Sequence, residues 1–196
     1  MREKRKARFS LQEIIGAGLL ASITSVLAYV IIPLPFTPVP LTGQTFGVML
    51  AAPILGAKTG ALSMFIVLAL GVVGVPVFSG GNAGPGILFG PTGGYLLSFP
   101  VAAFIIGKLC SYRGNKAGNI SWLSLLVINI IGGILVIYTI GAAQLMYVTG
   151  VPLYAAVVGG VLPFIPVDLL KAAVAAIIGA RLIKAKTFFG QGEMVR

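Results

Sequence analysis

The sequence predicts an all-α integral membrane protein with six transmembrane helices, and three observations carry that prediction. Of 196 residues, 58% are hydrophobic and 9% charged, with a mean hydropathy of +1.05. A water-soluble domain of this size has no core large enough to hide so much apolar surface. Apolar runs recur near 12–33, 43–57, 60–75, 93–112, 119–148 and 152–186. Several are about 20 residues long, the length that crosses a hydrocarbon core at roughly 1.5 Å per residue. Finally, the connections between runs alternate between basic and uncharged.

The first run follows a basic segment, 1–10, in the manner of a signal peptide. Its apolar stretch is too long for that and lacks an Ala-x-Ala cleavage site, so it reads as the first membrane helix. Gly16, Ala17, Gly18, Ala21, Ser22, Ser25 and Ala28 give it overlapping small-xxx-small spacings, which let another helix approach closely, whether from this chain or from a partner. The stretch Pro33-Leu-Pro-Phe-Thr-Pro-Val-Pro is too proline-dense for helix and should be extended. Runs two and three are short and glycine-interrupted. The glycine-rich segment 74–92 allows close backbone approach to a ligand and reads either as a lid or as a plain connector. In the last run, Pro163 and Pro166 predict that the spanning helix starts near Pro166, which places Asp168 in its first turn. There the helix dipole favours a carboxylate.

Thirteen of the fourteen Lys and Arg fall on one side of the predicted bilayer: Arg2, Lys4, Arg5, Lys6, Arg8, Lys58, Lys108, Arg113, Lys116, Arg181, Lys184, Lys186 and Arg196. The richer side is cytoplasmic, so both termini, including the tail 187–196, are predicted inside. The external connections 34–42, 74–92 and 148–152 carry no basic residue. The chain reads as a single membrane domain, 1–196.

Several function classes lack their parts. The net charge of +10 is spread over short clusters between apolar runs, which argues against nucleic-acid binding. Leu55-Gly-Ala-Lys-Thr-Gly lacks the glycine that a phosphate-binding loop needs before its lysine. Gly84-Pro-Gly-Ile-Leu-Phe-Gly fails as a dinucleotide fingerprint because it contains proline and joins membrane helices. Histidine is absent and Cys110 is the single cysteine, so no hydrolytic triad, zinc site or disulfide can be assembled. No enzyme, resident cofactor or metal is expected.

What remains is a charged pair in lipid-like sequence. Between Glu13 and Glu193 the one acid is Asp168, and Lys171 follows three residues later, on the same helix face. A charge near the bilayer centre costs roughly 2.5–3.5 kcal/mol on the most lenient scale, so such residues bind, conduct or pair. Thr42, Gln44, Thr45, Asn82 and Tyr95 lie at similar predicted depth. With the pair they have the composition of a small-ligand pocket, a few polar groups in apolar surroundings. A structural ion pair joining helices is the alternative, and a helix-packing role is the alternative for Gln44 and Tyr95.

Phe36-Thr-Pro-Val-Pro-Leu-Thr-Gly-Gln-Thr, Gly71-Val-Val-Gly-Val-Pro-Val-Phe-Ser-Gly-Gly-Asn, Gly90-Pro-Thr-Gly-Gly-Tyr and Pro166-Val-Asp-Leu-Leu-Lys-Ala resemble, in order, motifs of the BioY family, the biotin-specific substrate-binding (S) components of energy-coupling factor (ECF) transporters. The resemblance covers nearly the whole chain. It implies a six-helix subunit that captures external biotin and works with a transmembrane coupling subunit and two cytoplasmic ATPases. Gln44, Asn82, Tyr95, Asp168 and Lys171 match positions of the family's pocket, and Ala17 and Ala21 match the pattern through which S components meet the coupling subunit. Valine stands at 167, where the family commonly has glycine. On chemistry alone, Asp168 suits the N–H donors of biotin's cyclic urea, Lys171 either its oxygen or the steadying of Asp168, and Phe78 and Tyr95 the packing of its rings. Asn82, Gln44 or loop amides suit the carboxylate. Two rivals remain: an S component for another vitamin, and a proton-linked carrier using Asp168.

Overall fold

In the computed structural model, which describes residues 9–117 and 120–192, the regular structure is helical apart from one minimal hairpin and a single bridge, Phe78 to Asn82. The helices are α1 (Leu11–Leu27), α2 (Gln44–Leu55), α3 (Ala57–Val72), the short α4 (Pro85–Phe89), α5 (Gly93–Ala117), α6 (Trp122–Asn129), α7 (Val136–Thr149), α8 (Leu153–Gly160) and α9 (Ile165–Gly192). A π-helical turn, Ile130–Leu135, joins α6 to α7 into one rod, Trp122–Thr149. That rod and Gly93–Gly114 are long and apolar enough to cross a membrane. The pair α8 and α9 makes a third span if its 53° bend is counted within one crossing, and α1, α2 and α3 are shorter apolar helices.

Two expectations are corrected. The first helix ends at Leu27, well before 33. A run of β-branched residues leading into Pro33 favours extended backbone, and Ile31–Ile32 pairs antiparallel with Leu41–Thr42. The last run is two helices, because the turn at 161–164, which contains Pro163, breaks the rod. The helix start predicted near Pro166 falls at Ile165, with Asp168 in the first turn. Segment 74–92 holds a 3-10 turn, Ser79–Gly81, and α4. Residues 187–192, expected as tail, continue α9. The basic residues 2–8 and Arg196 lie outside the described residues.

α5 packs on α2, α3 and α7, while α9 packs on α2 and α6. Missing side chains permit the closest approaches: a Cβ on Gly107 would strike the backbone of Ala57, and one on Gly141 the ring of Tyr95. The exterior is apolar, with Leu19, Phe65, Val73, Leu170 and Tyr147 all exposed. Hydroxyls on such faces return their donors to their own helix, Ser22 to Gly18 O at 2.9 Å and Thr139 to Leu135 O at 2.7 Å. That is what a solvent without hydrogen-bond partners demands.

The π turn sets the aim of α7. Leu123, Val127, Ile131, Leu135, Thr139, Ala143 and Tyr147 are all exposed, one every fourth residue. A four-residue step drifts by about 40° on an ideal α-helix, so this stripe would wind around the rod. The wider π turn takes up part of the drift. Tyr138 is thereby turned inward, with Ile137, Gly141 and Leu145.

Candidate ligand-binding site

Asp168 is 2% exposed, in the first turn of α9, and every donor it needs is present. Lys171 Nζ donates to its Oδ1 at 2.6 Å and Thr45 Oγ1 to the same oxygen at 3.0 Å, while Tyr138 Oη donates to Oδ2 at 2.6 Å. A buried ion pair repays the several kcal/mol that desolvation costs each ion only with such geometry and supporting bonds. Lys171 is equally committed, because its remaining donors go to Thr42 O at 2.6 Å and Thr45 Oγ1 at 3.2 Å. The pair therefore ties α9 to the start of α2 and to α7.

This network lines a cavity of ≈ 50 Å³, together with Gln44, Ser79, Tyr95, Phe99 and Phe164. The aromatic wall is ordered. Tyr95 meets Tyr138 edge-on with centroids 6.2 Å apart, Tyr138 lies 6.3 Å from Phe164, and Tyr95 Oη donates to Gly160 O at 2.8 Å. Sites for small organic ligands usually measure about 300–1,000 Å³, so a ligand of that kind enters only if part of the wall moves.

Two stretches outside the α-helices reach the wall, 39–42 and, at Ser79, the segment 76–84, here called the strap. Gln44, fully buried, donates to Val77 O at 3.1 Å and accepts from Ser79 Oγ at 3.3 Å. Tyr29 Oη donates to Pro76 O at 2.8 Å, and Gly80 N to Ala28 O at 3.0 Å. Phe78 is buried against Gly71, where a Cβ would fall inside its ring. Gly80 turns the strap at φ 70°, a conformation that glycine adopts without strain.

The structure thus brings together Gln44, Tyr95, Asp168 and Lys171 of the residues expected from sequence. Asn82 stands apart: it is exposed, outside the cavity lining, and donates to Ser79 O at 2.7 Å. Tyr138, Phe99 and Phe164 were not foreseen, and the signal for Tyr138 was a phenol halfway along an apolar span. Ala17 and Ala21 are 0% and 1% exposed, packed within the chain where α1 meets α2 and α3. Helices of this chain cover both of them. The outward flank of α1 carries Leu11, Ile15, Leu19 and Val26.

An apolar helical bundle with a buried, hydrogen-bonded ion pair facing a strapped cavity defines a multi-pass membrane protein built to enclose a small molecule. The BioY family model matches residues 1–188, and the chain belongs to that family. It is 39% identical over 173 residues to the biotin transporter BioY of Rhizobium etli, covering 87% of this chain and 92% of that protein. With the probable biotin transporter BioY of Pyrococcus horikoshii it shares 42% identity over 171 residues, 87% and 96% of the two chains. Its fold is similar to the crystal structure of the S-component for biotin from an ECF-type ABC transporter, with a TM-score of 0.83, 31% identity and coverage of 91% and 95%.

Proposed function

We propose that this protein captures biotin outside the cell and delivers it inward as the S component of an ECF transporter, with ATP hydrolysed by partner subunits. The observation that carries the reading is the Asp168–Lys171–Tyr138–Thr45 network at the cavity wall, in a chain of the BioY family.

A count of lone pairs supports one orientation of the ligand. Asp168 Oδ1 already accepts two hydrogen bonds and Oδ2 one, so Oδ2 retains room for a urea N–H. The urea oxygen needs a donor, and the proton of Lys171 that is cheapest to redirect is the one in its longest bond, Nζ to Thr45 Oγ1 at 3.2 Å. Tyr95, Tyr138 and Phe164 pack the fused rings. The carboxylate would be repelled by Asp168 and so points toward the strap, where Ser79, Gln44 and, once the strap rearranges, Asn82 offer donors. Opening of 76–84 admits the ligand and reclosure buries it.

Six crossings, with both termini and the basic connections in the cytoplasm, complete this proposal. The shorter helices α1 to α3 then cross in the company of the long ones, and the uncharged external loops ease reorientation of the subunit during transport. The coupling subunit would dock from the cytoplasmic side along the outward flank of α1, where Gly18 leaves open space beside Ile15 and Leu19.

Titration calorimetry on the purified chain tests the reading: biotin binds saturably, one per chain, and other vitamins do not compete. Binding of a different vitamin with biotin excluded, or proton-dependent uptake by this chain with no ATPase present, would replace it.

A further inference from the structure

Where α5 ends and α6 begins, a second cavity of ≈ 390 Å³ opens between the two long spans. The rods run antiparallel, since Gly94 of α5 abuts Gly141 and Ile106 abuts Gly132. Its polarity is therefore layered. Arg113 and Ser124 sit at the mouth, near the helix ends, whereas Leu109 and Ile128, each one turn further in, line the deeper part with Val127. One turn is about 5.4 Å. Trp122, 45% exposed, stands beside the mouth, at the level where membrane proteins concentrate tryptophan.

Two donors line this cavity. Arg113 makes no ion pair among the described residues, where the pair found is Asp168–Lys171. Ser124 Oγ accepts from Ser121 Oγ at 3.1 Å, which leaves its own proton for the groove. A guanidinium matches the oxygen pair of a phosphate in planar, bidentate fashion.

We propose that this groove holds an anionic phospholipid, its phosphate on Arg113 and Ser124 and an acyl chain along Leu109, Val127 and Ile128. Inorganic phosphate would fill the mouth and leave the apolar part empty. A zwitterionic lipid would bring an ammonium group to a basic surface, and only the anionic lipid complements both layers. The site is separate from the biotin cavity and stands whether or not that assignment holds.

Trp122 is the single tryptophan of the chain, two residues from Ser124, so its fluorescence reports the groove. The full chain is reconstituted in phosphatidylcholine bilayers containing a fixed fraction of brominated phosphatidylglycerol or of brominated phosphatidylcholine. One basic contact at the membrane surface corresponds to roughly five-fold enrichment, so phosphatidylglycerol should quench Trp122 with about that preference. Arg113→Gln should bring the two lipids to parity and Ser124→Ala should reduce the preference, while biotin affinity stays at the wild-type value in both. Equal quenching in the wild type, preference retained in R113Q through diffuse surface charge, or preference erased by millimolar inorganic phosphate would each overturn the proposal.

Discussion

Tyr138 and Asp168 meet at 2.6 Å, hydroxyl to carboxylate, joining the middle of one span to the first turn of another 30 positions away. The contact depends on the π turn at Ile130–Leu135, which turns α7 so that its phenol faces inward. A backbone irregularity in one helix thereby positions the carboxylate of a different one.

Tyr138→Phe keeps the ring and its packing against Tyr95 and Phe164 but removes the donor. Deleting a hydrogen bond to a charged group costs about 1.5–3 kcal/mol, so biotin affinity should fall about 10- to 100-fold. Calorimetry on the variant checks this, and an unchanged affinity would place the phenol outside the binding machinery.

Asp168→Asn leaves Lys171 buried without its anion. Truncating one member of a buried charge pair costs about 2–5 kcal/mol in binding, so biotin should bind at least about 30-fold more weakly. Lys171→Met should weaken binding as well, because it strips Asp168 of its closest donor and the urea oxygen of its partner. Both are read from the same titration.

The strap should govern how fast ligand leaves. A Cβ at Gly71 would occupy the ring of Phe78, so Gly71→Ala should push the strap outward. Overpacking of this kind costs about 1–3 kcal/mol, borne here by the closed state. Stopped-flow displacement of bound biotin should show dissociation accelerated about five-fold or more, and Gln44→Leu should act in the same direction by releasing Val77 and Ser79.

Much of this site was legible in the sequence because charge is scarce there. Asp168 and Lys171 stand out against apolar neighbours whatever the fold, and Gln44, Thr42 and Thr45 follow a proline-rich loop that fixes their depth. Tyr138 was not legible, since a tyrosine in a span can serve packing as readily as a site, and the π turn that aims it has no clear sequence signature. For α1 the reverse holds. Most of its small residues spread over an arc of about 140°, wider than one helix contact, so spacing reveals that something comes close without telling which part of the arc is covered. Pro163 and Pro166 announced a helix start, but the continuous apolar composition of 152–186 concealed the bend between α8 and α9.

The packing of α1 yields a contrast within two turns. Ala21 is 1% exposed, so Ala21→Leu should destabilise the protein by about 1–3 kcal/mol. Nothing lies within 4 Å of a Cβ placed on Gly18, so Gly18→Ala should be neutral or stabilise by about 0.5–1 kcal/mol. Thermal unfolding in detergent distinguishes them, and equal effects would show that the small residues of α1 are not divided into inner and outer faces.

The central claim is that Asp168 and Lys171 grip the neutral ring of biotin rather than merely fastening helices together. A crystal structure with biotin bound tests it most directly. The predicted result is a urea N–H within hydrogen-bond distance of Asp168, the fused rings against Tyr95 and Tyr138, and the carboxylate under the strap. Biotin density elsewhere, with the contacts among Asp168, Lys171, Thr45 and Tyr138 unchanged, would contradict it.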